Sequence, residues 1–326
     1  MKTTKHIFIQ IASYRDSQLG ATIAHLIDQA AKPERLRIGI CLQINSEDEN
    51  TCGLRSFPQN KDLRGAEIAL DQIEASLSKG VCWARARTQA LWEGEPFTLQ
   101  IDSHMRFEHE WDTRLIECWQ RCRDPRAVIS GYPNAFTLPD NRDIEFLSLM
   151  AAKNFDDHGI LRLQGINTFR NPEQLPQQPL SSAFVAAGML FGPSSMIPEA
   201  PYDPDLYFYG EELSLSLRLW TRGFNFYNPD RPLLFHLYKQ IGATHRSHWT
   251  DHSDWHILNQ RSVEKVNRLL QGQPLEPPFD LGCARSIESW QQWSGVNLGE
   301  RTISEAALLG RFQPPPPAAL SVARSC

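Results

Sequence analysis

In the first hundred residues, short apolar runs alternate with stretches of helical periodicity, and the last run ends abruptly on Asp102-Ser103-His104. His6 to Ala12, Leu36 to Leu42 and Phe97 to Ile101 read as buried strands. Between them, Gln18 to Ala31 carries Leu19, Ile23, Leu26, Ile27 and Ala30 along one helical side. The spacing predicts further helices over Asp62 to Leu77 and Val81 to Trp92. This β-α-β-α rhythm argues for an α/β protein with a doubly wound, Rossmann-like half and a ligand site at the carboxyl ends of the strands. The turn after the first strand reads Ser13-Tyr14-Arg15-Asp16 and holds no G-x-G-x-x-G, which disfavours a dinucleotide dehydrogenase.

The Asp-Ser-His end of the third strand adds chemistry to this frame. On an extended backbone residues i and i+2 point the same way, so Asp102 and His104 can reach one ion. A carboxylate with an imidazole suits a borderline cation such as Mn²⁺, completed by phosphate oxygens and water. Taken alone, the triplet is more often two ordinary polar residues after a buried strand. The later segments of the chain outweigh that reading.

Downstream, Trp111 to Arg123 reads as a helix and Ala127 to Gly131 as a strand, while Tyr132 to Gln178 reads as irregular, with a short strand at Ile160 to Leu163. Ser182 to Phe191 is small and apolar, and Gly188 within it marks tight packing or a close approach to a ligand. A helical pattern spans Tyr207 to Arg222, opened by Gly210-Glu211-Glu212 and closed by Gly223. A strand follows at Leu233 to His236, and from Gln313 four consecutive prolines mark a disordered or docking arm.

Composition narrows the partners. With 326 residues, 41% of them hydrophobic, the chain can bury a large core. A net charge of −5 leaves no electrostatic footprint for nucleic acid. No apolar run reaches spanning length and the first strand begins almost at once, so a cytoplasmic protein without a membrane span is expected. Cys41, Cys52, Cys82, Cys118, Cys122, Cys283 and Cys326 have no framework spacing and read as buried or idle thiols. His248, His252 and His256 would share one face of a continuous helix; with His245, Trp249 and Trp255 they read as an aromatic and histidine surface without a metal.

A series of segments in order carries a resemblance: Ala84-Arg85-Ala86-Arg87, then Ile101-Asp102-Ser103-His104, then Tyr209-Gly210-Glu211-Glu212-Leu213 with Arg218-Leu219-Trp220-Thr221-Arg222-Gly223, and finally Phe235-His236. The series, over about residues 6 to 245, resembles the polypeptide-modifying glycosyltransferases of GT-A fold. It is most similar to the cytoplasmic N-acetylglucosaminyltransferases that modify hydroxyproline, and more distantly to the polypeptide N-acetylgalactosaminyltransferases. The resemblance implies a GT-A domain over residues 1–265, with a nucleotide-sugar half at 1–130 and an acceptor half at 131–265 on a mixed sheet. A helical extension would follow at 266–312 and a proline-rich tail at 313–326.

The same resemblance implies the site. Asp102, His104 and His236 would hold a divalent metal, Mn²⁺ before Mg²⁺; His236 by itself would read as a core histidine. Ser13, Tyr14, Arg15, Arg85, Asp102, Gly188 and Lys239 would bind the nucleotide sugar, with Arg15 free to close over the diphosphate. Arg85 and Arg87 sit on different helix faces, so only one, Arg85, should face the ligand. Glu211, ahead of Glu212, would meet the sugar hydroxyls or the acceptor, although two carboxylates at a helix start are also explained by the macrodipole alone. The implied reaction is retaining transfer of N-acetylglucosamine from UDP-GlcNAc to a hydroxyl on a protein (hydroxyproline, Ser or Thr). The alternatives are a glycan acceptor, a UDP-GalNAc donor or a non-catalytic binding module.

Overall fold

The computed structural model describes residues 5–169, 171–238 and 246–317. Lys239, His245, Cys326 and the tail from residue 318 lie outside the described residues.

The chain opens with β1 (Ile7–Tyr14), α1 (Leu19–Asp28), β2 (Leu36–Ile44) and β3 (Glu67–Glu74). It continues through α2 (Val81–Gln89), β4 (Phe97–Ile101) and β5 (Met105–Phe107). Strand β2 is buried at every position, as a central parallel strand covered on both faces must be. The helix read from Asp62 to Leu77 is instead β3, with a short 3-10 turn on either side. Its residues are good helix formers, but all eight positions pair in parallel with β2, and that long pairing overrides local propensity. Because β3 is the sheet edge, it keeps Glu67, Asp71 and Glu74 exposed or half-exposed, which blunts further pairing.

Next come α3 (Trp111–Arg121), β6 (Ala127–Ser130), β7 (Asn134–Thr137), β8 (Asn141–Arg142), β9 (Leu147–Phe155) and β10 (Leu161–Thr168). The stretch read as irregular therefore holds a long antiparallel hairpin of β9 and β10. Its turn is local chemistry: Asp156 accepts from the N–H groups of His158 and Ile160, and Gly159 takes φ +76°. Then follow β11 (Leu180–Ser182), β12 (Met189–Pro193), α4 (Met196–Glu199), α5 (Glu211–Thr221), β13 (Asn225–Asn228) and β14 (Leu234–His236). Helix α5 starts four residues later than its pattern suggested, because Gly210 adopts φ +84° in front of it.

One eight-stranded mixed sheet runs β11-β13-β6-β12-β4-β1-β2-β3, so β6, from the first expected half, lies between β13 and β12 from the second. A second sheet runs β5-β14-β7-β8. The C-terminal part adds α6 (His248–Asp251), α7 (Trp255–Leu270), α8 (Ile287–Ser294), β15 (Val296–Asn297), β16 (Thr302–Ile303) and α9 (Glu305–Leu308). The chain between α6 and α7 is extended at His252, so His248, His252 and His256 do not share one helix face. His248 and His252 stack with ring centroids 3.9 Å apart. The cysteine expectation also changes: Cys283 is disulfide-bonded, while Cys41, Cys52, Cys82, Cys118 and Cys122 are free.

Residues 266–312 are part of the core. Trp290 is fully buried, clusters with Phe184, Trp220 and Phe226, and donates its indole N–H to the Ala183 carbonyl at 3.1 Å. The start of the proline-rich arm is tied down as well, since Gln313 and Pro316 accept hydrogen bonds from Trp293 and Arg285. Replacing Trp290→Ala is expected to destabilise the whole fold by about 3–5 kcal/mol, read as a lower urea midpoint in a single transition. A separate, unaffected transition for the N-terminal strands would contradict a shared core.

Candidate active site and metal centre

The carboxyl ends of β1 and β4 lie side by side at the middle of the large sheet, and the chain there presents Asp16 and Asp102-Ser103-His104. His236 reaches them through the second sheet. Strand β14 pairs antiparallel with β5, with His236 opposite Met105 and the Leu237 N–H donating to the His104 carbonyl at 3.0 Å. That register delivers a histidine from more than a hundred residues away to the flank of His104.

The three side chains converge. Their ligand atoms all lie within 4.8 Å of one another. His104 Nε2 and His236 Nε2 are 3.0 Å apart, and His236 Nε2 is 3.2 Å from Asp102 Oδ2. Asp16, buried, accepts at 2.6 Å from His104 Nδ1, at 2.5 Å from the Ser103 hydroxyl and at 2.8 Å from the Gln18 N–H. A ring that donates its Nδ1–H to a carboxylate turns an Nε2 lone pair outward, the arrangement that orients metal-bound histidines. Two imidazole nitrogens and a carboxylate oxygen aimed at one point form a donor set that suits a borderline divalent cation.

Burial alone would raise the Asp16 carboxyl, but the bonds from His104, Ser103 and Gln18 outweigh it and hold it below the usual range. Asp102 shows the same contest: burial pushes up, while His236 and Arg85 pull its carboxyl well down. The Arg85 guanidinium is buried and donates to Asp102 Oδ1 at 3.1 Å and to the Ala187 carbonyl, and its Nε lies 3.3 Å from Glu211 Oε1. Arg87, on the opposite helix face, pairs with Asp71 at 2.6 Å. Gly188 sits directly behind Asp102: a Cβ there would come within 2.8 Å of Oδ2.

Two cavities flank this group. One, about 340 Å³, has a polar floor of Asp102, Arg85, Glu211, Glu212 and His236 beneath a wall that includes Tyr132, Leu163, Tyr209 and Tyr238. The other, about 230 Å³, is lined by Tyr14, Asp16, Gln43, His104, Arg246 and His248 among others. Asp102, Val81 and Phe208 line both.

The positions expected to bind a nucleotide sugar divide accordingly. Tyr14 lines the smaller cavity, its ring 5.0 Å from that of His248. Ser13, the next residue on an alternating strand, does not line it. Arg15 is not brought to the site. Its guanidinium is committed to Asp48 at 2.6 Å and to Glu47 and Asp251, both at 3.0 Å, and lines neither cavity. The guanidinium that does line the smaller cavity is Arg246, which sequence reasoning passed over, as it did Asp16 as the partner of His104 and Tyr132 as a partner of Glu212. Asp16 was visible in the Ser-Tyr-Arg-Asp turn, but its pairing needed the strand order.

The Glu212 carboxylate accepts from the Tyr132 hydroxyl at 2.6 Å and from the Ala187 N–H at 2.9 Å. Burial raises its pKa to about 7 in spite of these two donors.

Removing the partner of His104 by Asp16→Asn is expected to weaken Mn²⁺ binding by roughly 10- to 100-fold with little change in melting temperature. Calorimetric titration of the metal reads this, and an unchanged affinity would detach Asp16 from the centre. Gly188→Ala is expected to weaken it too, since the new methyl displaces the Asp102 carboxylate.

No curated protein matches this chain significantly in sequence. Among solved structures it is similar to GalNAc-T7 with UDP, GalNAc and Mn²⁺, at TM-score 0.55 and 13% identity, over 90% of this chain and 55% of that one. It thus spans little more than half of that chain's length. It is also similar to S. aureus TarS 1-349 in complex with UDP-GlcNAc, at TM-score 0.48 and 11% identity, over 83% of this chain and 68% of that one. The mixed α/β architecture is that of the GT-A glycosyltransferases. The model of the family described as Glycosyltransferase (GlcNAc) matches residues 6–57 and 49–280, so the chain belongs to that family.

Proposed function

We propose that the chain is a metal-dependent, retaining glycosyltransferase that moves N-acetylglucosamine from UDP-GlcNAc to a hydroxyl on a protein acceptor. The observation that carries this reading is the convergence of Asp102, His104 and His236 where two cavities meet. The family description supports N-acetylglucosamine, and the UDP, sugar and Mn²⁺ named for GalNAc-T7 are the ligand set such a junction would take.

Glycosyl transfer must separate a diphosphate from a sugar whose C1 becomes oxocarbenium-like. Mn²⁺ held by Asp102, His104 and His236 would supply Lewis-acid neutralisation of the leaving charge. The chain does the rest. The smaller cavity, walled on one side by the paired rings of Tyr14 and His248, holds the nucleoside, with Arg246 facing the phosphates. The larger cavity holds the sugar, and the Glu212 carboxylate, whose oxygens each retain accepting capacity beyond their one donor, takes a sugar hydroxyl. Glu211 is paired with Arg85 and fixes that residue instead. In a front-face reaction the C1–O bond to the diphosphate breaks as the acceptor oxygen bonds C1 on the same side. The acceptor proton passes to the departing diphosphate oxygen.

Release of UDP from a panel of nucleotide sugars, with and without Mn²⁺, needs no known acceptor. Mn²⁺-dependent release from UDP-GlcNAc is expected, and His104→Ala should reduce it to background while leaving the melting curve intact. Release from UDP-GalNAc alone would reassign the donor. No release from any donor, together with no UDP binding, would overturn the enzymatic reading.

A further inference from the structure

The turn after β6 carries a residue that neither the strand pattern nor the motif series singles out. Tyr132 follows Gly131 at the end of that strand, lines the larger cavity and places its hydroxyl 2.6 Å from Glu212 Oε2. The next residue, Pro133, offers its carbonyl to the Tyr238 hydroxyl at 2.8 Å, and the Tyr238 ring lies 4.3 Å from the ring of His236. One short turn thus braces both the carboxylate on α5 and the histidine at the end of β14.

We propose that Tyr132 is a positioning residue that holds Glu212 in its ionised, hydroxyl-accepting form and fixes where its free lone pairs point. This rests on the reading of Glu212 as the carboxylate that meets the sugar. The bond runs in one direction at any practical pH. Burial and the neighbouring Glu212 push the Tyr132 phenol far above its ordinary value, so it stays a donor, and it bonds the ionised carboxylate, which also accepts from the Ala187 N–H, more strongly than the neutral acid.

The groups facing Glu212 set its balance. Glu211 on its own helix disfavours the charge, and Arg85 from α2 favours it. Tyr238, beyond β14, and Tyr132, from the β6–β7 turn, are phenols that remain neutral. Arg162 from β10 faces Tyr132. Burial outweighs the donors and leaves the Glu212 pKa at about 7, so loss of one donor is felt near neutral pH. The sign is fixed: a donor to the carboxylate favours the charged form, so removing it raises the pKa, and the ionised fraction at neutral pH falls.

The test is the pH dependence of Mn²⁺-dependent UDP release from UDP-GlcNAc by the full chain. In Tyr132→Phe the acidic limb is expected to move up by about one pH unit, with release recovered at the alkaline plateau and UDP affinity within about twofold of the parent. In Glu212→Gln that limb disappears and release is low at every pH. Site-specific 3-fluorotyrosine at position 132 preserves the packing and is a stronger donor, so it should move the limb down. An unshifted limb in both the phenylalanine and the fluorotyrosine variants, with Glu212→Gln inactive, would overturn the role of Tyr132 and leave that of Glu212 standing. Full release by Glu212→Gln would overturn the reading of Glu212 itself.

Discussion

The site depends on one buried cation. Arg85 lies between Asp102 and Glu211, and its remaining donors reach the carbonyl that precedes Gly188. Two carboxylates this deep and this close would be costly to ionise together; a guanidinium shared between them makes the cluster tenable. The pairing also sets geometry. Because Arg85 is on α2, Asp102 just past β4 and Glu211 at the head of α5, the ion pairs fasten three elements around the cavity floor. Arg85 therefore aims Asp102 while it also lines the larger cavity.

The cluster of Asp102, His104 and His236 is a product of strand register. Asp102 and His104 are neighbours in the chain, but His236 joins them only because β14 pairs with β5, whose first residue follows His104. A slip of one position would turn His236 to the opposite face and leave two ligands. Gly188 has a similar dependence on topology. Its lack of a side chain matters because β12 pairs antiparallel with β4, with Met189 opposite Ile101, which carries Gly188 up to the Asp102 carboxylate.

This explains which parts were legible in the sequence. Strands β1, β2 and β4 declared themselves as apolar runs because a central parallel strand is buried on both faces. Edge strand β3 did not: its half-exposed residues include Glu, Ala, Leu and Gln, and only the pairing with β2 makes it a strand. The β9–β10 hairpin was obscured in the same way, by a turn closed with Asp156 and Gly159 inside a segment rich in proline. Within the site, the Asp-Ser-His triplet could be read because its chemistry is local. Asp16, Tyr132 and Arg246 could not be assigned, since the role of each is defined by a partner or a cavity from another part of the chain.

Arg15 shows why residue type at a strand end is an incomplete guide. It adopts φ +48°, turning its side chain from the ligand side toward Asp48 and Asp251. Asp251 also accepts from the Tyr14 hydroxyl, and His248, three residues earlier on α6, accepts from or donates to the Tyr207 hydroxyl at 2.9 Å. These contacts clamp α6 over the end of β1 and so form the outer wall of the smaller cavity, in which Arg246, Ser247, His248 and Trp249 all take part. A cation bound in this way closes the wall of that cavity, and the guanidinium that lines it is Arg246. The two cavities thereby have different outer walls yet share Asp102, Val81 and Phe208. A ligand occupying both would pass the junction lined by Asp102, Val81 and Phe208, and a diphosphate between a nucleoside and a sugar would lie there.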